Sequence, residues 1–167
     1  MNNFLTRNAG ANVIQGHTST VVNRAPAEVW AAVCDIARMG DYSPECIGGR
    51  WIGGASGPGV GASFEGDNEL KVAGRTLKKW TTTSVVSASE PGKTFEFVSE
   101  NYTTWRYELE AVGETTRVTE SFSFEAKGWQ GFLYEKVLRR SKAMVKGMTR
   151  TLERLKATLE APTSPPT

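Results

Sequence analysis

The chain has 167 residues, 39% hydrophobic and 23% charged, with a net charge of +2; that is the make-up of one globular domain large enough to bury its own core. No apolar run approaches the roughly 18 residues that cross a bilayer, and MNNFLTRNAGANVIQG at the start lacks the apolar stretch of a signal peptide. The expectation is therefore a cytoplasmic protein with no transmembrane segment. With only Cys34, Cys46 and a single histidine, His17, a zinc site lacks ligands at any usual spacing, so neither metal nor cofactor is expected.

In chain order, residues 1–15 are polar and aperiodic and read as a flexible arm. HTSTVVN (17–23) reads as a strand. Pro26 opens a helix at the position proline favours, and Val29, Trp30, Val33 and Ile36 follow on one side at helical spacing. Residues 37–42 read as a second short helical turn, stopped by Gly40 and Pro44. The period then falls to two. Strands are expected over 47–54, 62–70, 76–90, 94–100, 103–112 and 115–126, separated by short glycine-rich or polar turns that imply antiparallel neighbours. One long amphipathic helix, about 129–159, ends the folded body. Leu133, Val137, Met144, Met148, Leu152, Leu155 and Leu159 form its apolar stripe. APTSPPT (161–167) reads as a disordered proline-rich tail. The domain is thus 16–160, in the order β-α-α-β6-α, an α+β fold. Six consecutive antiparallel strands curl, and the final helix is the only element long enough to cover their apolar face.

Charge is uneven. Residues 127–160 hold nine Lys/Arg against three Glu, a local +6. The plain reading is the wet face of the last helix; a surface for an anionic partner is the alternative.

Alternation predicts which strand side chains meet that helix: Phe64; Trp80, Thr82, Ser84 and Val86; Phe95 and Phe97; Trp105, Tyr107 and Leu109; Val118, Glu120, Phe122 and Phe124. Met144, Gly147 and Met148 face them from the helix. An aromatic, methionine-lined interior serves as plain core or as an adaptable apolar pocket. Glu120 stands out, a carboxyl at an apolar position between Val118 and Phe122. It costs free energy there unless partnered. A structural ion pair to the last helix and an acid/base role are both open. Tyr107 on the neighbouring strand could share a ligand with it.

Several chemistries lack their residues. There is no GxSxG elbow. No spacing brings His17 to either thiol. GGASGPGVG joins two strands, so it is no phosphate cradle. The basic residues are not interleaved with surface aromatics, and no nucleic-acid partner is expected. MGDYSPEC (39–46) gathers acids, an aromatic and a thiol, but reads as a structural hinge. Cys46 enters a strand as a small buried thiol.

Taken together, APAEVWAAVCDIARMGDYSPE, VGASFEGDNE, WTTTSVV, ASEPGKTFEF and TTWRYELEAVGETTRVTESFSFE resemble the START-like SRPBCC superfamily. The likeness is to its bacterial polyketide cyclase/dehydrase branch and runs from about His17 to Leu159. AP-x-x-VW, MGDYSPE and TRVTES are its most specific parts. The resemblance implies the helix-grip (Bet v 1-like) fold, a curved antiparallel sheet around a long C-terminal helix with an apolar cavity between them. Only this resemblance would put Tyr42 and Glu45 at a rim of that cavity. Members bind lipids, polyketides or other hydrophobic molecules, and some cyclise or dehydrate them. They share no fixed catalytic set, so the site rests on alternation. Glu120 and Tyr107 are the catalytic candidates. Phe64, Trp80, Phe97, Trp105, Tyr107, Phe122, Met144, Met148 and Tyr42 are the ligand-binding ones. The expected role is binding a hydrophobic small molecule. A cofactor-independent polyketide cyclase, aromatase or dehydratase is the alternative, and a protein-interaction module the second alternative. A homodimer is left open.

Overall fold

The computed structural model describes residues 4–8, 13–125 and 132–162, with side chains described over 13–125 and 140–162. The strands are β1 (Phe4–Asn8), β2 (Val13–Val22), β3 (Cys46–Ile52), β4 (Ser63–Val72), β5 (Arg75–Glu90), β6 (Thr94–Ser99), β7 (Thr103–Val112) and β8 (Thr115–Glu125). They form one antiparallel sheet in the order β1-β2-β8-β7-β6-β5-β4-β3. β3 to β8 run as the expected meander, and β2 closes against β8. The helices are α1 (Pro26–Cys34), α2 (Met39–Tyr42) and α3 (Phe132–Glu160).

One strand is additional to the expected order. The arm expected over 1–15 contains β1, paired outside β2 from Phe4↔His17 to Asn8↔Val13, and β2 itself begins at Val13. An edge strand held by backbone pairing leaves little side-chain period to read.

α1 starts with Pro26 at its first turn, where the missing N–H costs nothing. Glu28 reaches back to accept from the Ala25 N–H at 3.1 Å. Val29, Val33 and Cys34 are its buried residues. Asp35 ends it and accepts from the Arg38 N–H at 3.3 Å, starting a 3-10 turn over Ile36–Arg38. α2 then carries Gly40 hard against β3. A Cβ at position 40 would lie 2.4 Å from the Ile47 carbonyl oxygen, so only glycine fits. Ser43 is extended (φ −68, ψ 140), as the residue before proline should be, and its Oγ accepts from the Cys46 N–H at 2.9 Å.

α3 runs along β2. A Cβ on Gly16 would meet Val145 Cγ2 at 2.9 Å; Thr149 Oγ1 lies 3.4 Å from Thr18 Oγ1; Lys156 Nζ donates to the Val21 carbonyl at 2.6 Å. From 145 to 156 the helix rises about 16 Å, matching the roughly 16 Å of strand from 16 to 21. Met148, Leu152 and Leu155 are buried. Arg140, Lys142, Lys146, Arg150 and Arg154 are exposed, so the basic residues form the wet face. Leu133 and Val137 lie outside the described side chains.

β4 and β5 outrun their neighbours. β3 pairs with β4 only as far as Asn68, and β6 meets β5 from Ser84 onward. Between Leu70 and Trp80 the hairpin, among the described residues, pairs only with itself, around a turn at Ala73 (φ 50) and Gly74 (φ 77). That left-handed pair is the turn a twisted two-residue hairpin demands.

Candidate functional site

The strand registers assemble the inner face in rows. Phe95, Tyr107, Glu120 and Thr18 lie side by side across β6, β7, β8 and β2. The next row is Phe97, Trp105, Phe122 and Gly16. α1 covers the end beyond the first row, where Val22, Val29, Val33, Leu109, Val118, Leu152 and Leu155 form a closed core. A second cluster, Ile14, Phe122 and Met148 with Trp105, Phe124, Met144 and Val145 against it, lies on the other side. Glu120 sits between the two.

Glu120 is 4% exposed. Tyr107 Oη donates to its Oε1 at 2.9 Å. Its Oε2 is buried without a hydrogen-bond partner among the described residues. Among the described residues no ion pair from α3 accompanies it; Lys136 and Arg139 lie outside the described side chains. Burial pushes its pKa up to about 8, and the Tyr107 hydrogen bond only partly opposes that. Burial likewise holds the Tyr107 hydroxyl well above its ordinary value, reinforced by the charge of Glu120. At neutral pH the carboxyl is therefore largely protonated. Oε1 accepts from tyrosine, and Oε2 carries a proton that can be donated.

Beyond this row Ile14, Phe122 and Met148 stay buried, while Trp80, Thr82, Phe97, Trp105, Phe124 and Met144 are half-buried. Their rings touch in series. Phe64 meets Trp51 edge-on at 5.4 Å and Phe97 at 5.0 Å. Trp105 meets Phe122 at 5.8 Å, and Phe122 stacks on Phe124 at 6.0 Å. Such contacts keep ring faces in fixed places along the wall. The result is a band of aromatic and methionine side chains on the inner face beside Glu120: Phe64, Phe122 and Met148 are buried there, and Phe97, Trp105 and Met144 are half-buried. Trp80 stands further out, on the free β4–β5 hairpin.

Tyr42 is a correction. It was expected at the rim, but it is 3% exposed and packs in the closed core. The short α2 turns its ring inward, and the rim position passes to the exposed Glu45.

The thiols are not reactive centres. Burial pushes Cys34 up to about 12 and raises Cys46 as well, and a protonated thiol is a poor nucleophile. His17 points to the outer face of β2, opposite Ser121, with the sheet between it and both cysteines. That outer face holds a groove of about 230 Å³ lined by His17, Glu96, Thr104, Arg106, Ser121 and Ser123 among others. It is polar, and Arg106 is already paired with Glu96 at 2.9 Å and Glu108 at 3.0 Å. No group of three or more metal-ligating side chains occurs among the described residues.

Sequence reasoning missed Thr18, fully buried beside Glu120, because the inward alternation was read only on the later strands. Had the alternation been followed back from Val22, it would have placed Thr18, Gly16 and Ile14 on the inner face.

The family described as polyketide cyclase / dehydrase and lipid transport matches residues 14–160. Among solved structures, the chain is similar to the Polyketide_cyc-like protein Cgl2372 from Corynebacterium glutamicum, at 32% identity over 87% of this chain and 91% of that one (TM-score 0.61). It shares its fold with BexL, a di-domain ARO/CYC from the BE-7585A biosynthetic pathway, at 16% identity over 91% of this chain and 52% of that one (TM-score 0.72). It also shares its fold with Ara h 8.0201, at 16% identity over 88% and 97% (TM-score 0.60). No curated protein matches the sequence.

Proposed function

The chain belongs to the polyketide cyclase/dehydrase and lipid transport family, and from that premise we propose that it binds a hydrophobic, carbonyl-bearing small molecule of polyketide or lipid character in the cleft between sheet and α3. The observation that carries this reading is the buried Glu120, bonded on one oxygen by Tyr107 and unpartnered on the other, at the inner end of an aromatic wall. An apolar body would lie along Phe97, Trp105 and Phe122. A carbonyl oxygen would accept the proton on Oε2, removing the cost of an unmade buried hydrogen bond. Trp105 in the wall makes tryptophan fluorescence the direct test. Titration with an aromatic polyketone should quench it saturably, and Trp105→Ala should weaken binding about tenfold or more. Unchanged affinity in that variant would move the ligand elsewhere.

The second reading is catalysis, favoured by one observation: a carboxyl pKa of about 8 suits proton transfer near neutral pH. In a dehydration, Glu120 would protonate a leaving hydroxyl, which departs as water. The carboxylate so formed would take the proton from the adjacent carbon as the double bond forms. The cleft would supply the fold of the chain by proximity, and Tyr107 would hold the carboxyl in place. Glu120→Gln keeps the shape and loses the proton relay. Turnover of a polyketone should fall at least about a hundredfold while ligand-induced quenching persists. Equal turnover in that variant would remove Glu120 from the chemistry.

A further inference from the structure

The β4–β5 hairpin from Leu70 to Trp80 is a two-stranded ribbon standing clear of the sheet. Register divides its faces. Glu69, Lys71, Thr76 and Lys79 lie on the outer side. There Glu69, only 9% exposed, accepts from Thr76 Oγ1 at 2.5 Å and pairs with Lys71 at 2.6 Å and Lys79 at 3.7 Å. Asn68, Leu70 and Val72 lie with Trp80, Lys78 and Arg75 on the other side, continuous with the inner face that lines the cleft. A lone ribbon is marginal in water, and the Glu69 network is what ties its strands together.

The apolar residues of this ribbon are exposed and belong to neither core cluster among the described residues. Leu70 is 44% exposed, Val72 54% and Leu77, at the bulge, 65%. Exposed aliphatics clustered at a projecting tip call for a partner. Around them stand Lys71, Arg75, Lys78 and Lys79 against the single acid Glu69, a net +3 over residues 69–80. Lys78 Nζ lies 5.3 Å from the Trp80 ring centre. The apolar tip asks for hydrocarbon, and the cations ask for anions around it. The narrow convex shape asks for a surface that yields to it.

We propose that this ribbon docks the protein on an anionic lipid surface. Leu70, Val72 and Leu77 enter the headgroup–acyl boundary, and the lysines and arginine meet lipid phosphates. A folded protein partner would need a groove shaped to the tip, whereas a bilayer deforms around it. Docked this way, the ribbon turns Trp80 and the open end of the cleft toward the membrane. The proposal stands on the ribbon alone and holds whatever the cleft binds.

Co-sedimentation of the full chain with ligand-free vesicles tests it, using phosphatidylcholine alone and phosphatidylcholine with about one-third phosphatidylglycerol, whose negative surface potential is the attraction invoked. Binding is expected to the second and not to the first, and to weaken with salt. Leu70→Ser/Val72→Ser/Leu77→Ser should weaken it at least roughly tenfold. Arg75→Gln/Lys78→Gln, which leaves the Glu69 network whole, should weaken it about tenfold as well. Should the serine variant lose its cooperative melting transition, the glutamine variant carries the test. Wild-type protein that ignores the anionic vesicles, or variants that sediment as it does, would overturn the proposal. Binding confined to an acidic protein, with vesicles ignored, would overturn it in favour of a protein partner. The serine variant should still show full ligand quenching in solution, so a failure of docking and a failure of cleft binding are read separately.

Discussion

The inner face of this sheet has two ends, built from the same alternation and unlike in outcome. At the α1 end Phe95, Val118 and Val29 are fully buried. At the other end Trp105 and Phe124 point to the same side of the same sheet, yet stay half-buried. The difference lies in the cover. The first end has α1 above it and the last turns of α3 beside it, with Leu152 and Leu155 reaching in. The second has Met144, Val145 and Met148 over it among the described residues. Strand position decides which way an aromatic points. Only the opposing layer decides whether it becomes core or wall.

The largest effect expected from this contrast is at the closed end. Phe95→Ala should cost about 3–5 kcal/mol in urea unfolding, and Trp105→Ala less than about half of that. Equal losses would mean that the two ends are packed alike. The boundary row comes next. Glu120 keeps its proton in the folded state up to about pH 8, against an ordinary value of 4.5. Between those values the folded protein binds more protons than the unfolded chain. Its stabilising contribution is complete below pH 4.5, declines as pH rises, and is gone above about 8, by up to roughly 1.4 kcal/mol per pH unit. Glu120→Gln should flatten that slope in melting curves taken from pH 5 to 8.5, and a wild-type curve already flat would deny the buried acid. A smaller effect probes the roof of the open end. Gly16→Ala sets a methyl 2.8 Å from Phe122 Cε1 and 2.9 Å from Val145 Cγ2, which should cost about 1–3 kcal/mol. Adding Val145→Ala should recover part of it. The smallest is chemical. Cys34 and Cys46 should resist maleimide at pH 7 in the folded protein and react fully in denaturant, and rapid native labelling of either would contradict their raised pKa values.

The meander from β3 to β8 was legible almost to the residue because each strand is bounded by turn chemistry and alternates cleanly. The nearness of Tyr107 and Glu120 was legible for the same reason: two inward positions on consecutive strands. Other features depend on what is not local. β1 is placed by its pairing with β2, a long-range match that five residues of sequence do not announce. Tyr42 is buried because α2 is too short to leave its ring outside, and no periodicity reports that. Most of all, the free ribbon exists because β3 and β6 stop short of β4 and β5. That is a fact about neighbours, and the stretch LKVAGRTLKKW reads from sequence as ordinary strand and turn.

Gly16 sets how closely helix and sheet approach beside Phe122. α3 rests on β2 at several points, and at this one a missing side chain lets Val145 come down onto the strand. Most binding sites are resized by changing their lining, at the risk of losing the contacts that hold the ligand. Here the spacing can be altered from the strand, by exchanging bulk between positions 16 and 145, with Phe122 giving way and Glu120 and Tyr107 one row removed.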